Sequence, residues 1–561
     1  MVKRLLALFN KEISGLHEAA YLLATFAFLS QILALIRDRL LAYQFGASHL
    51  LDIYYAAFRI PDFIFISIAS MVSISVLVPF LTERFVNNKE NVKSFIDQTF
   101  SVFFFAIFAV AAIVFVFDPY IVPKVLPGFA NDPLLPDLIL ATRILLLSPI
   151  LLGISNFFAS ITQLYNRFFL YATSPIVYNI GIIFGIIVLY PIFGLPGLMF
   201  GVTIGAFLHL FIQVPFIVSQ KMFPKILWKV NFGSIKRVVL LSLPRTLTLS
   251  SNQIATFFLI ALASLMSTGS IAIFNYSFNL QSVPLAIVGV SYSSAAFPML
   301  SRLLSGGQKG KFLEHMIIAT RHIIFWSIPI MVMFIVLRAQ IVRVILGSGQ
   351  FSWSDTRLTA ATLAIFVLSL VPQSLLLLFV RAYYSDGRTW KPMVINLISS
   401  TLIVVFGFIM IHFFNTFLTF KYFIESLFRV ADVPGTAVLM LALAYSIGVT
   451  INMIIHWVAF EHDFKGFTKA TITPFWEVFS ASVIGGFLTY NFLDFFGGIF
   501  NLDTFVGIFL QGFVAGIIGI TVIVAILKLL KNEELKDVWK TLHHRIWKAG
   551  AVAPDVDVER L

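Results

Sequence analysis

Six ionisable residues fall inside the first two apolar stretches of the chain: Arg37, Asp38 and Arg39 in the first, and Asp52, Arg59 and Asp62 in the second. Charged groups at membrane depth are costly, so by default they mark a polar cavity. Such a set can recognise and pass a polar cargo. Covalent chemistry has no comparable support: no nucleophile stands beside a positioned base, and no His, Asp or Glu cluster has metal-ligand spacing. Cysteine is absent, which removes disulfides and thiolate metal sites. Arg39 and Asp62 could equally snorkel or pair near a helix end. Arg37, Asp38 and Arg59 are the stronger cavity residues.

The elements that must hold these residues are transmembrane helices. Of 561 residues, 59% are hydrophobic and only 12% charged, so a water-soluble fold could not cover its apolar surface. Mean hydropathy is +0.94. The composition predicts an all-α polytopic membrane protein. About fourteen apolar segments are long enough to span: 17–43, 50–84, 94–118, 134–165, 170–192, 195–218, 235–266, 270–300, 312–337, 356–383, 390–413, 434–460, 474–494 and 503–530. The period-2 pattern of a membrane barrel is missing.

Basic residues orient the bundle. With the N-terminus cytoplasmic, the inward loops contain Arg84, Lys89, Lys93, Arg167, Lys221 to Arg237, Arg302, Lys309, Lys311, Arg388, Lys391, Lys465 and Lys469. The outward turns are nearly free of Lys and Arg apart from Lys124, Arg343, Lys421 and Arg429. Both termini are then expected inside, and the net charge of +12 is explained by topology without nucleic acid. Residues 1–16 are expected to be retained as an interfacial segment, since no small-residue cleavage site follows them. His462 and the pair His543 and His544 read as solvated loop residues.

The chain repeats itself. Ser30-Gln31-Ile32 is echoed by Asn252-Gln253-Ile254, Val78-Pro79-Phe80 by Phe297-Pro298-Met299, and Pro175-x-x-x-Asn179 by Pro392-x-x-x-Asn396. The offsets (253 − 31, 298 − 79, 392 − 175) lie between 217 and 222, a near-constant register. Two parallel six-helix lobes follow, 17–218 and 235–460, with helices at 474–530 outside the repeat and a cytoplasmic tail at 531–561. Transporters built from parallel halves place cargo between the halves and alternate access by rocking. Pro61, Pro284, Pro372, Gly46, Gly181 and Gly185 are candidate hinge or close-approach points. The segment from Phe413 to Pro434 is an outward insert to which the sequence assigns no role.

Ile36-Arg37-Asp38, Gln44-Phe45-Gly46-Ala47, Leu51-Asp52, Ala56 to Asp62 and Val78-Pro79 together resemble the MurJ (MviN) lipid II flippase family of the multidrug/oligosaccharidyl-lipid/polysaccharide exporter superfamily. The resemblance extends through Tyr165 to Phe168, Leu243-Pro244-Arg245, Gly349-Gln350-Phe351 and Arg381 to Ser385, essentially the whole chain. It implies a V-shaped, fourteen-helix molecule in the bacterial cytoplasmic membrane that carries lipid II, an undecaprenyl-diphosphate-linked disaccharide-pentapeptide, from the inner to the outer leaflet. The last two helices would take the lipid tail.

The resemblance implies no cofactor and a protein that is not an enzyme. The chain is expected to act as a monomer among membrane lipids, beside the cell-wall synthesis machinery. The implied cavity residues are Gln31, Arg37, Asp38, Asp52, Arg59, Arg245 and Asn279, with Arg143 and Arg381 as further candidates. Arginine offers paired donors that match diphosphate oxygens, so Arg37 is the expected anion contact, and Asp38 either holds an arginine in position or pairs with one in particular states of the rocking motion. On this reading Arg37→Ala loses transport and keeps the fold.

The chain departs from the family pattern where Gln31, Phe65 and Asn279 stand at positions that many members fill with arginine. Gln31 and Asn279 can still hydrogen-bond a sugar or phosphate; Phe65 cannot. The departures keep two alternatives open: an exporter of another polysaccharide-lipid or a cation-coupled exporter of the same superfamily, and a transport-inactive envelope scaffold.

Overall fold

The structure is a computed structural model that describes residues 16–69, 77, 81, 89–165, 167–230 and 232–547, and all regular structure among them is helical. In chain order the helices begin with α1 (Leu16–Phe45), then α2, built from His49–Ala57, Arg59–Ile64 and a wider turn at Phe65–Ala69. Next come α3 (Val92–Val125), α4 (Leu135–Leu164), α5 (Phe169–Phe193), α6 (Leu195–Ser219) and α7 (Phe232–Ala263). They are followed by α8 (Ser270–Ser305), α9 (Lys309–Val336), α10 (Trp353–Val367 with Leu370–Ser385), α11 (Trp390–Thr416) and α12 (Val438–Asp463). The last are α13 (Phe467–Gly497) and α14 (Phe505–Leu529).

Ten of these, α3 to α6, α8, α9 and α11 to α14, are single helices long and apolar enough to cross a bilayer, and α10 passes the same test as a pair bent by 40°. The helices α1, α2 and α7 complete the expected fourteen. Of the interfacial segment expected over 1–16, only Leu16 is described. The end of the second span, including Val78 and Pro79, lies outside the described residues.

The duplication is visible in packing. Helix α1 lies along α5 and α5 along α6; in the same way α7 lies along α11 and α11 along α12. It is visible again in the irregular turns. Three segments, Phe65–Ala69, Gly185–Leu189 and Ala286–Val290, wind as π-helix. The first follows Pro61 on α2 and the third follows Pro284 on α8, at an offset (286 − 65) of 221 that matches the sequence register. Proline lacks the N–H that the i−4 carbonyl needs, and a local shift to wider spacing re-satisfies the ladder. The bend in α10 falls just before Pro372. Three of the proposed hinge prolines thus stand beside a break in regular α-geometry.

Small residues bring α5 and α6 into backbone contact. A Cβ on Gly181 would overlap Gly205, and one on Gly201 would overlap the backbone of Gly185. Without a hydrophobic drive between helices in lipid, such close approach is what holds them together. Gly201→Leu is therefore expected to lower the thermal midpoint of the detergent-solubilised protein by the equivalent of about 3 kcal/mol of overpacking. Gly310→Leu, where a new side chain meets open space, is expected to leave the midpoint unchanged.

On one face the loops of the two halves meet. There Gln350 donates its backbone N–H to Tyr43 O at 2.9 Å, and Gly128 donates to Ser264 Oγ at 3.2 Å. The opposite face carries the basic loops.

Candidate functional site

The charged residues of α1 and α2 lie in the seam between the halves. Arg37 donates from Nε and Nη2 to Asp38 Oδ1 at 3.0 and 2.8 Å, and from Nη1 to Asn179 Oδ1 on α5 at 3.2 Å. Asn179 in turn donates to Ser30 Oγ at 3.4 Å and to the carbonyl of Pro175 at 3.0 Å. Across the seam, Asn279 on α8 donates to Asp38 Oδ2 at 3.0 Å. Arg37, Asp38 and Asn279, three of the expected site residues, form one cluster around a carboxylate that is only 3% exposed. A buried pair of this kind is held by further hydrogen bonds to its members, here from Asn279 to Asp38 and from Arg37 to Asn179.

One turn of contacts further along the seam, Arg59 donates from Nε to the carbonyl of Tyr55 at 3.1 Å and from Nη2 to Asn275 Oδ1 on α8 at 2.8 Å. Arg59 and Asp62 face Gln253 and Phe257 of α7 across a void of about 10 Å³, room for about one water.

Asp52 departs from its expected place. It does not face a cargo cavity but is buried, and its two oxygens accept the backbone N–H groups of Gly269 and Ala272 at 2.6 and 2.8 Å. A carboxylate from the first half therefore caps the N-terminus of α8 in the second, where exposed N–H groups and the helix dipole favour negative charge. Gly269 makes this possible: its φ of +87° lies in the left-handed region, and a Cβ there would strike the carbonyl of Ala47.

Arg39 also ties the halves together. Its Nη1 donates to the carbonyls of Val344 and Ile345 at 2.5 and 3.3 Å, and its guanidinium lies 5.4 Å from the centre of the Phe505 ring on α14. Gln31 is half-buried on α1 and Phe65 opens the wide turn of α2. The side chain of Arg245 on α7 lies outside the described residues. Arg143 turns towards α3, 3.9 Å from Asp118 and stacked on Phe115.

Below the seam lies a cavity of about 860 Å³. Its polar wall includes Gln163 from the first half with Gln373, Arg381, Tyr384, Asn396 and Asn452 from the second. Arg381 is thus a lining residue as expected, while Gln163, Asn396 and Asn452 were missed. Asn396 and Asn452 hydrogen-bond each other at 3.0 Å. Leu285, Val290 and Phe297 also line the cavity. On α8 the seam residues Asn275 and Asn279 stand on the Ser270 side of them, so the charged cluster sits about 9 Å of helix beyond the cavity, towards the closed face. The rings of Phe278, Phe366 and Tyr445, with centroids 5.6 Å apart, pack behind it.

Asn179 and Asn396 are the paired asparagines of the Pro-x-x-x-Asn repeat, so a signal for both was present in the sequence. Asn275 carried no such signal.

Two helical halves that meet at one face and share a polar cavity define a two-lobed membrane fold. The fold matches an inward-facing multidrug resistance MATE family transporter of the MOP superfamily with a TM-score of 0.64 at 12% identity, covering 80% of this chain and 99% of that one. It matches a structure described as lipid II flippase MurJ, inward closed conformation, with a TM-score of 0.73 at 23% identity, covering 91% and 98%. Residues 41–510 match the family model described as lipid II flippase MurJ, and the chain belongs to that family. Relatives include the probable lipid II flippase MurJ of Buchnera aphidicola subsp. Schizaphis graminum, 30% identical over 397 residues, covering 69% of this chain and 76% of that protein. That of Thermotoga maritima is 26% identical over 391 residues, covering 68% and 78%.

Proposed function

We propose that this multi-pass membrane protein is a lipid II flippase of the bacterial cytoplasmic membrane, moving the diphosphate-linked precursor from the inner to the outer leaflet by alternating access. The observation that carries the reading is the family match over residues 41–510. The lobes are 17–218 and 235–460, both termini are cytoplasmic, and α13 with α14 takes the lipid tail. The molecule works as a monomer beside the cell-wall synthesis machinery, with no cofactor.

The positive-inside rule applied to the basic loops supports a cytoplasmic mouth for the cavity, from which cargo enters. Arg381 and the amides of Gln163, Asn396 and Asn452 offer donors for sugar and phosphate oxygens. Deeper in, a diphosphate competes with Asp38 for the paired donors of Arg37, a like-for-like exchange of one oxyanion for another. That exchange releases Asp38 from Arg37, loosens the Asp38–Asn279 bridge, and so couples cargo arrival to opening of the seam. Outward opening requires the Asp52 cap, the Arg59–Asn275 contact and the Gln350–Tyr43 contact to part as well.

The test is complementation. In a host depleted of its resident lipid II flippase, expression of this chain is expected to restore lipid II accessibility at the outer leaflet. Failure despite good membrane expression would turn the reading towards another polysaccharide-lipid, which the replacement of family arginines by Gln31, Phe65 and Asn279 favours.

A further inference from the structure

A second cavity, of about 810 Å³, lies on the closed face between α10, α13 and α14. Its wall is supplied by Arg338, Arg357, Arg429, Tyr490, Asp494 and Gln511. Arg429 ends a short helix, Leu418–Phe428, which occupies the insert that had no assigned role.

The insert is built to hold that arginine in place. Arg357 grips Asp432 through two hydrogen bonds of 2.7 and 2.6 Å and also donates to the carbonyl of Arg429, fixing a residue whose φ of 59° is left-handed. A non-glycine residue in that region is uncommon and calls for such support. The Arg429 guanidinium then reaches across to Tyr490 Oη on α13 at 2.9 Å. Facing it, Arg338 donates to the carbonyl of Ile335 at 3.0 Å. Burial first, and then the Arg429 charge, hold Arg338 below the ordinary guanidine value. Asp432 is already held by Arg357, which leaves Asp494 as the other carboxylate among the residues that line the cavity.

Two facing guanidiniums with open N–H groups match a phosphate. Lipid is the natural source, because α13 and α14 below the cavity expose Phe487, Phe495, Phe509 and Phe513, a surface suited to lipid chains.

We propose that this cavity binds the phosphate headgroup of a membrane lipid from the leaflet at the closed face, with its chains lying along α13 and α14. The chains would lie on the surface proposed above for the cargo tail, so the inference rests in part on that reading, and its test reads binding without transport.

The purified full chain is examined by native mass spectrometry with phosphatidylglycerol, phosphatidylcholine, a polyprenyl diphosphate and inorganic phosphate as separate probes. Phosphatidylglycerol or the polyprenyl diphosphate is expected to be retained over phosphatidylcholine, and Arg338→Gln with Arg429→Gln to weaken retention about tenfold or more. Stronger retention of the polyprenyl diphosphate would identify the flipped lipid as the source, and stronger retention of phosphatidylglycerol a bulk lipid. Arg302→Gln on the opposite face is expected to change nothing. Asp494→Asn removes the opposing carboxylate and is expected to tighten binding, a gain that misfolding cannot mimic. Equal retention by the arginine variants, no gain in Asp494→Asn, or inorganic phosphate displacing the lipids at matched concentration would overturn the proposal.

Discussion

Arg37→Ala is expected to abolish flipping and also to destabilise the protein, whereas Arg37→Ala combined with Asp38→Ala regains stability without regaining flipping. Sequence reasoning expects the single change to leave the fold intact. The structure alters that expectation, because Asp38 is 3% exposed and Arg37 is the cation on it. Removing the arginine strands a carboxylate with one amide donor. Breaking a buried pair in this way costs about 3 kcal/mol, at the lower end of the usual range because the Arg37 side chain keeps 20% of its exposure. Deleting both charges removes the stranded group and with it most of the penalty.

The anion-binding donors are absent in both variants, so outer-leaflet accessibility of lipid II should be lost in both. Recovery of flipping in the double variant would eliminate the diphosphate role of Arg37. Arg37→Lys is expected to rescue poorly, since an ammonium cannot serve Asp38 and Asn179 with the fixed fan that holds them now.

Asp52→Asn is expected to unlatch the closed face. The carboxylate accepts two backbone N–H groups at the start of α8, and its charge faces the positive end of the helix dipole. An amide of the same shape keeps one acceptor and no charge. Losing about 2 kcal/mol from the closed state shifts its balance with the open state by roughly 30-fold. The chain has no cysteine, so Ser48→Cys with Thr268→Cys puts one thiol on each side of the seam, next to the close approach of Ala47 and Gly269. Disulfide yield across that pair should fall in the Asp52→Asn background and stay high with Asp52 present. Unchanged yield would show that the cap contributes nothing to closure.

The helical class, the break between α5 and α6, and the duplication were all legible in the sequence. Each rests on a local signal: apolar run length, the turn carrying Gly194, and short motifs at a fixed offset. The Arg37–Asp38 pair was legible because two adjacent charges inside a span are too costly to stand there without a polar site to serve. The role of Asp52 was not, since its partners are backbone amides more than 200 positions away and backbone carries no sequence signature. Arg245 carried a family signal, but its side chain falls outside the described residues. Asn275 and Gln163 are ordinary polar residues whose importance comes only from what the fold sets opposite them. The arginine crevice beneath the insert was invisible for the same reason, being assembled from short helices and loops scattered between Arg338 and Gln511.

The paired wide turns on α2 and α8 bear on how such a molecule moves. Each separates the part of its helix that carries latch residues, Asp52 and Arg59 on one, Asn275 and Asn279 on the other, from the part beyond. A surplus residue in a helix can migrate along it one hydrogen bond at a time, without changing the number of bonds, and turns each residue it passes by about 100°. Two such dislocations at equivalent heights would let the latch segments swivel in step while their roots stay anchored. The duplication has then preserved, along with the shape of the lobes, a matched pair of bearings.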